Sequence, residues 1–424
     1  MRVCIVGSGN QGAGAGALLA REDEIDGIQF LARHQRSADR AAAHVASVCA
    51  DAGKPLLTTG TVDAGDVTAL AGRMRGYDMV INATVPAYNI PIMQACLVAG
   101  AHYLDLYAYA DGTEGVPDAE TTGAQLRLSP EFESAGLLAL PSLGITPGWT
   151  NVAAKVLLDR FDTVDSLIVR MVDWLDSDML LAPCDPVVLV EQWLGVPGAC
   201  YTQDGKAVGW DLVDTEECYQ FMQPAGEQWI LSTTNDNATQ QMLALSRLPI
   251  PHMEEKFAVL SGRRSMKDII LTAVARATAK SKASDDMMAL FGSCFDSCTN
   301  DMHIGEAHAQ GLIRDAAFGN SLEVTGVRAG RRERHTIQTI ASLDATLALM
   351  PWAPPGVLAT IAEPAALTLM LARGEIEERG VRLAPELENA ELVLRAVEAW
   401  GMPVEEQSLV VASDDTAKVG TRQD

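Results

Sequence analysis

The run "RVCIVGSGNQGAGAGALLAR", residues 2–21, decides the fold. It opens as a short apolar strand, meets three glycines in G-x-G-x-x-G spacing, and passes into an alanine-rich helix. Each glycine has its own physical duty. Gly7 permits the tight turn, Gly9 lets the backbone approach a pyrophosphate, and Gly12 lets the helix lie close to the strand. Asn10 and Gln11 stand between the last two glycines, where the helix N-terminus turns free N–H groups and a positive dipole end toward phosphate. A lone glycine pattern is weak evidence. Here a strand precedes it, a helix follows it, and a second strand pattern, "GIQFLA" (27–32), comes at the right distance.

Outward from that turn the alternation continues. A helix over 38–52, a strand ending near Asp63, the helix "VTALAGRM" and the strand "YDMVINATVP" follow in order. The helix "NIPIMQACLVAGA" and the strands "HYLDLYAY" and "GLLALPSLGI" complete the series. Strands alternating with helices predict an α/β fold, a Rossmann-type doubly wound parallel sheet over residues 1–145. After "TPGWTN" the regular crossovers stop, which predicts a second α+β domain over 146–350, built on a more antiparallel sheet. Residues 351–424 are expected as a C-terminal helical segment packing back on the first domain, with Pro364 ending or kinking an early turn.

A chain of 424 residues exceeds the usual size of one hydrophobic core, which agrees with two domains. Its formal net charge of −24 argues against nucleic acid and against an anionic membrane, because both require a basic face. The longest apolar runs are broken well short of a membrane span. Met1 and Arg2 lead directly into the strand pattern, leaving no room for a secretory signal. A cytoplasmic homodimer with reduced thiols is therefore the expectation. The segment "CFDSCTNDMHIGEAH" gathers Cys294, Cys298, His303 and His308, but structural zinc usually takes tighter cysteine pairs. No metal is expected; buried thiols and surface or active-site histidines explain the cluster.

Cofactor choice turns on the end of the second strand. An acidic residue there binds the ribose 2′-OH of NAD and repels the 2′-phosphate of NADP. Ala32 stands there instead, with Arg33, Arg36 and Ser37 close behind, so a guanidinium and a hydroxyl are available to a phosphate dianion. This points to NADP, with NAD still possible, since Arg33 can also stack on adenine.

The stretches "MVINATVPAYNIPIMQACLVAGAHYLDL" (79–106), "LPSLGITPGWTN" (140–151) and "EPAALTLMLARGEIEERGVRLAPE" (363–386) resemble the saccharopine dehydrogenase-like oxidoreductases. The similarity is best over 1–155 and 354–386, and between them it is limited to fragments such as "RLPIPHMEEKFAV" and "VTGVRAGRR". The resemblance implies hydride transfer between a nicotinamide cofactor and a carbon bearing nitrogen, on an amino-acid or polyamine derivative. It implies that Ala83, Thr84, Val85 and Pro86 line the cofactor, and that Asp63 approaches the adenine. It also implies that nicotinamide and substrate meet at the turn carrying Gly144, Thr146, Pro147, Gly148 and Asn151. A simple domain junction would explain the glycines and proline of that turn equally well.

For proton transfer the candidates are Asp105 and Tyr107, at the end of the fifth strand, the edge where open α/β sheets bind ligands. Either residue could instead be a structural hydrogen-bonder. "VDWLDSD" offers Asp173, Asp176 and Asp178 to a cationic amine, and Arg170 and Arg247 are the candidates for an acidic substrate; solvated or interdomain roles are the alternative for each. Two other functions remain open on sequence grounds: a catalytically inactive NADP-binding regulator, or a lyase or epimerase using bound NAD(P) as a transient oxidant.

Overall fold

The computed structural model describes residues 1–49, 55–113, 115–177, 181–182, 199–202, 206–209, 215–233, 236–259, 296–297 and 304–411. The chain begins with β1 (Arg2–Val6), α1 (Asn10–Leu19), β2 (Gly27–Ala32), α2 (Gln35–Val48), β3 (Leu56–Thr61) and α3 (Val67–Met74). β4 (Met79–Asn82), α4 (Asn89–Ala99), β5 (His102–Asp105), α5 (Thr122–Leu126), α6 (Ser129–Ser134), β6 (Leu138–Leu140) and α7 (Trp149–Leu158) follow. The later strands are β7 (Thr163–Ser177), β8 (Leu181–Ala182), β9 (Ala199–Thr202), β10 (Ala207–Gly209), β11 (Glu217–Gln220) and β12 (Glu227–Thr233). The last are β13 (His252–Val259), β14 (Asp296–Ser297), β15 (Ile313–Arg328), β16 (Arg331–Ser342), β17 (Gly380–Val381) and β18 (Val404–Val410).

Two sheets organise the molecule. The first is wholly parallel in the order β17-β6-β5-β4-β1-β2-β3, with Val3 in register with Ile28 on one side and Met79 on the other. Strand order reverses between β1 and β4, so a ligand crevice lies outside their carboxyl ends. The second sheet runs β10-β9-β13-β7-β15-β16-β18, with the β11–β12 hairpin branching from β13. Only β13 and β7 run parallel along that path; the long central strands β7, β15 and β16 are antiparallel neighbours.

One hydrophobic core joins the sheets. Phe30 and Ile28 of β2, Leu18 and Leu19 of α1, Leu157 of α7, Leu322 of β15 and Leu358 and Leu367 of the helix Pro355–Ala372 all belong to it. A second core, with Leu70, Ile92, Tyr103 and Phe132, fills the opposite face of the parallel sheet. The alanine and glycine content of α1 is what lets it sit between neighbours. A Cβ on Gly14 would stand 3.0 Å from both Val357 and Ile361, and one on Gly16 would stand 2.5 Å from the Phe30 ring.

The C-terminal segment is more than helical. It adds β17 to the first sheet and β18 to the second, so both sheets close with late sequence. Pro364 does not end its helix, which continues from Pro355 to Ala372 with the proline inside. The helix is long and apolar enough to cross a bilayer, and 78% of it is buried within the protein.

The small-residue packing of α1 gives a direct test. Gly16→Val should destabilise the fold by about 1–3 kcal/mol, measured by denaturant unfolding, because the Phe30 ring has no room to retreat in a filled core. An unchanged midpoint would contradict the packing described.

Candidate active site

The β1–α1 turn is built for close backbone approach. Gly7 has φ +103°, and a Cβ there would lie 2.4 Å from the Ala83 carbonyl oxygen at the end of β4. Gly12 would meet the Gly7 carbonyl at 2.0 Å, whereas a Cβ on Gly9 would project into open space. Gly7 and Gly12 are thus required by the protein itself, and Gly9 is the glycine that leaves room for something else. Asn10 and Gln11 form the start of α1, and the Gln11 side-chain oxygen is buried without a hydrogen-bond partner among the described residues.

Beside this turn lies a cavity of about 280 Å³. Gly7, Ser8, Thr84 and Tyr88 form one side of it; Ala32, Arg33, His34 and Ser37 form the other. Arg33 donates to the Tyr88 hydroxyl at 3.0 Å, so the two side chains reach across the cavity mouth toward each other. Among the described residues, no carboxylate lines it. Asp63, expected near the adenine, is turned to a local task, accepting from the Gly65 N–H at 2.9 Å; its neighbours Val62 and Ala64 line the cavity instead. His34 and Tyr88 were not singled out from the sequence. The position of His34 as the residue capping α2 was the available signal.

The carboxyl edge of the sheet is crossed by a buried polar network, and Asp105 is its hub. This carboxylate is 1% exposed and accepts from the Tyr103 hydroxyl at 2.7 Å, the Ser142 N–H at 2.8 Å, the Gln125 amide and the Tyr107 N–H. Burial pushes its pKa up to about 6, and these donors restrain the rise. Asn82 donates to Asn89 at 2.8 Å and to Tyr103 at 3.1 Å, and accepts from the Thr84 N–H and hydroxyl. Asn89 in turn donates to the Tyr107 carbonyl at 2.9 Å. Asp105 is therefore a structural hydrogen-bonder and not an acid or base in contact with substrate, because its oxygens are enclosed and already serve four donors.

What the network positions is the β6–α7 loop. Ser142 is held at φ +62°, a conformation costing roughly 1–3 kcal/mol, by the bond from its N–H to Asp105. Beyond it the loop doubles back on itself. A Cβ on Gly148 would lie 2.0 Å from the Gly144 carbonyl, and one on Gly144 would lie 2.7 Å from the Leu106 carbonyl. Thr146 shares a hydrogen bond with Thr150 at 3.0 Å and donates to the Met171 sulfur of β7 at 3.2 Å. Thr146 and Pro147 thus stand where the first sheet's edge meets the second sheet. Tyr107 lies at the rim, 39% exposed, with its ring edge-on to Tyr109 at 5.4 Å. Val85 is also exposed, at 58%, next to buried Pro86 and half-buried Ala83 and Thr84.

Three expected substrate residues need correction or refinement. Asn151 is 2% exposed and donates to the Ala238 carbonyl at 3.1 Å and to Gln241 at 3.3 Å. It locks α7 to the helix Asp236–Leu245 and cannot reach a ligand. Arg247 is exposed beyond the far end of that helix, roughly 15 Å along its axis from Asn237, which does approach the site by bonding to Thr122. Arg170 is 5% exposed on the opposite face of the second sheet, paired with Glu217 at 3.0 Å and Glu323 at 3.6 Å and lying over the Tyr219 ring. Asp173 keeps its candidacy. It lies two residues beyond Met171 on the same face of β7, 6% exposed, and burial raises its pKa to about 8. Asp176 pairs with Arg314, and Asp178, Cys294, Cys298 and His303 lie outside the described residues. His308 hydrogen-bonds the Ile313 carbonyl at 3.0 Å, and no metal-binding group of side chains occurs among the described residues.

Comparisons with known proteins bear on this geometry. Residues 3–140 match the saccharopine dehydrogenase NADP-binding domain family. Carboxyaminopropylagmatine dehydrogenase of Synechocystis is 31% identical over 171 residues, which is 39% of this chain and 40% of that protein. Carboxynorspermidine synthase of Vibrio cholerae is 36% identical over 119 residues, 26% of this chain and 29% of that protein. The similarity therefore spans less than half the length of either relative. Saccharopine dehydrogenase (L-Glu forming) of Saccharomyces cerevisiae superposes with a TM-score of 0.65 at 14% identity, covering 96% of this chain and 100% of that one. Homospermidine synthase of Legionella pneumophila, solved with NAD, gives 0.65 at 11% identity, covering 100% and 94%. The fold of both domains is thus saccharopine dehydrogenase-like.

The Asp105 network makes a pH prediction. A carboxyl whose folded pKa lies above its unfolded value near 3.9 is stabilising in its protonated form, and that contribution is lost as pH rises through about 6. The loss amounts to roughly 2 kcal/mol between pH 4 and 7. Asp105→Asn should flatten this part of the stability–pH curve; an identical slope in variant and wild type would remove Asp105 as its source.

Proposed function

We infer that this chain, whose first domain is of the saccharopine dehydrogenase type, is an NADP(H)-dependent oxidoreductase acting on a CH–NH bond of an amine or amino-acid derivative. The single observation that carries the reading is the placement of the Gly144–Gly148 loop. Asp105 holds it at the carboxyl edge of the dinucleotide-binding sheet, and Thr146 joins it to the face of the second sheet that carries Asp173. A cofactor and a cationic nitrogen can meet only where those two surfaces converge.

The residues present suit a phosphorylated dinucleotide. The open space at Gly9 and the start of α1 would take the pyrophosphate, while Arg33, His34 and Ser37 would surround a 2′-phosphate. The bound cofactor supplies or accepts the hydride. The protein's own work is placement and proton management. Thr84, Val85 and Thr146 would border the reacting carbon, and the rim residue Tyr107, 39% exposed, follows the end of β5 at the same edge of the sheet. Tyr107 is the candidate proton donor to the nitrogen, since the enclosed Asp105 cannot serve. Asp173, held neutral by burial, would ionise on meeting a protonated amine and pair with it.

The deciding experiment is a panel of amine and carbonyl pairs scored by NADPH oxidation. Turnover with an amine pair supports the reading, whereas turnover with alcohols or simple carbonyls alone would overturn it. Arg33→Ala should weaken NADPH by roughly 1.5–3 kcal/mol and barely affect NADH; equal losses in calorimetry would show that Arg33 does not select. Tyr107→Phe should lower the maximal rate about a hundredfold with cofactor affinity intact, and an unaltered rate would take Tyr107 out of the mechanism.

A further inference from the structure

Arg33 brings a full charge to the mouth of the cavity beside the β1–α1 turn, and no acidic side chain answers it. Its Nη2 donates to the Tyr88 hydroxyl at 3.0 Å, and among the described residues it makes no ion pair. The carboxylates on neighbouring elements are engaged elsewhere. Asp39 of α2 accepts from the Thr59 hydroxyl and the Gln35 amide, both at 2.7 Å, and these bonds hold its carboxyl below the usual range. Asp63 accepts from the Gly65 N–H. The guanidinium therefore rests on a phenol, which accepts one hydrogen bond from it and cancels none of its charge.

The two partners differ in how firmly they are held. Tyr88 ends the 3₁₀ turn Pro86–Tyr88, which opens on a proline, and its N–H donates to the Val85 carbonyl at 3.1 Å. Its ring packs, as Val62 and Ala64 do, against the second core, and one ring carbon lies 4.0 Å from a Cβ built on Gly65. The next residue, Asn89, is 1% exposed and bonded to Asn82 and to the Tyr107 carbonyl. The phenol oxygen is thus a fixed point on the cavity wall. Arg33 is exposed, on a long side chain with much rotamer freedom to lose. The bond to Tyr88 is what holds its guanidinium over the cavity.

We propose that Tyr88 is a positioning residue for cofactor choice: its hydroxyl holds the Arg33 guanidinium where the 2′-phosphate of NADP(H) arrives. The proposal rests on reading this cavity as the site of the phosphorylated ribose. One guanidinium N–H is spent on the phenol, which leaves the others for phosphate oxygens. Because the side chain is already ordered, less freedom is lost when the phosphate binds. A carboxylate in place of the phenol would order Arg33 equally well but would cancel the charge that the phosphate meets. A 2′-hydroxyl carries no charge, so NAD(H) gains little from the arrangement.

Calorimetry with 2′,5′-ADP and 5′-AMP isolates this end of the cofactor, since the two ligands differ only in the 2′-phosphate. Tyr88→Phe keeps the ring and removes only the hydroxyl. It should weaken 2′,5′-ADP about three- to tenfold, the range of one ordinary hydrogen bond, and leave 5′-AMP unchanged. Both ligands are measured on the same protein, so a change in folded fraction would move both together. Arg33→Ala should weaken 2′,5′-ADP further than Tyr88→Phe does. Adding Tyr88→Phe to Arg33→Ala should then cost nothing more, because the hydroxyl acts only through the guanidinium. A wild type that binds both ligands equally would overturn the NADP reading of the cavity, and the positioning role with it. A wild-type preference that Tyr88→Phe leaves intact would overturn the positioning role alone. Equal losses for the two ligands, or a loss that persists in the Arg33→Ala background, would do the same.

Discussion

A single buried carboxylate fixes how the chain leaves the parallel sheet and enters the second domain. Asp105 ends β5, and its donors come from β5 itself, from α5, from the segment after β5 and from the loop after β6. Those donors fix the direction in which the chain leaves the parallel sheet and enters α7. The network continues through Thr122 and Asn237, then Gln241 and Asn151, so that the start of the second domain is tied to the edge of the first. The cost of enclosing the carboxylate is visible in its raised pKa, and the return is a loop held in a strained conformation at the site. Loss of the carboxylate would leave a buried hydroxyl, an amide and two backbone N–H groups seeking partners.

Around that hub the packing is arranged so that the two sheets cannot be separated into independent cores. α1 carries the cofactor turn at its start and, one turn later, accepts Val357 and Ile361 against Gly14. The helix that supplies those residues also covers the second sheet. A change in how that helix seats is therefore felt both at the glycine turn after β1 and at the core face of the second sheet. The closing strands β17 and β18 come from the same late segment, so the first domain's sheet is completed only when the C-terminal region is in place.

Much of the first domain was legible in the sequence because its signals are local. The glycine spacing of 7, 9 and 12, the apolar strands and the alanine-rich helices act over a few residues, and the turn falls where they require. The acidic residue missing at Ala32 pointed to the cavity side that now contains Arg33 and Ser37. What the sequence concealed depends on contacts between distant segments. Asp105 looked like a catalytic candidate because its strand-end position was visible, but Gln125 and Ser142, which enclose it, lie 20 and 37 residues away. Asn151 was misplaced for the same reason, since Ala238 and Gln241 are supplied by a remote helix. β17 has two residues and no periodicity to read.

The central claim is that the Asp105-held loop and the second sheet converge on the reacting end of a bound NADP. A crystal structure of the complex with NADP⁺ measures this directly. The account predicts the 2′-phosphate among Arg33, His34 and Ser37, the pyrophosphate over Gly9, and the nicotinamide ring against Thr146 on the side facing Asp173. A nicotinamide lying away from the Gly144–Gly148 loop, with the second sheet out of reach, would contradict it.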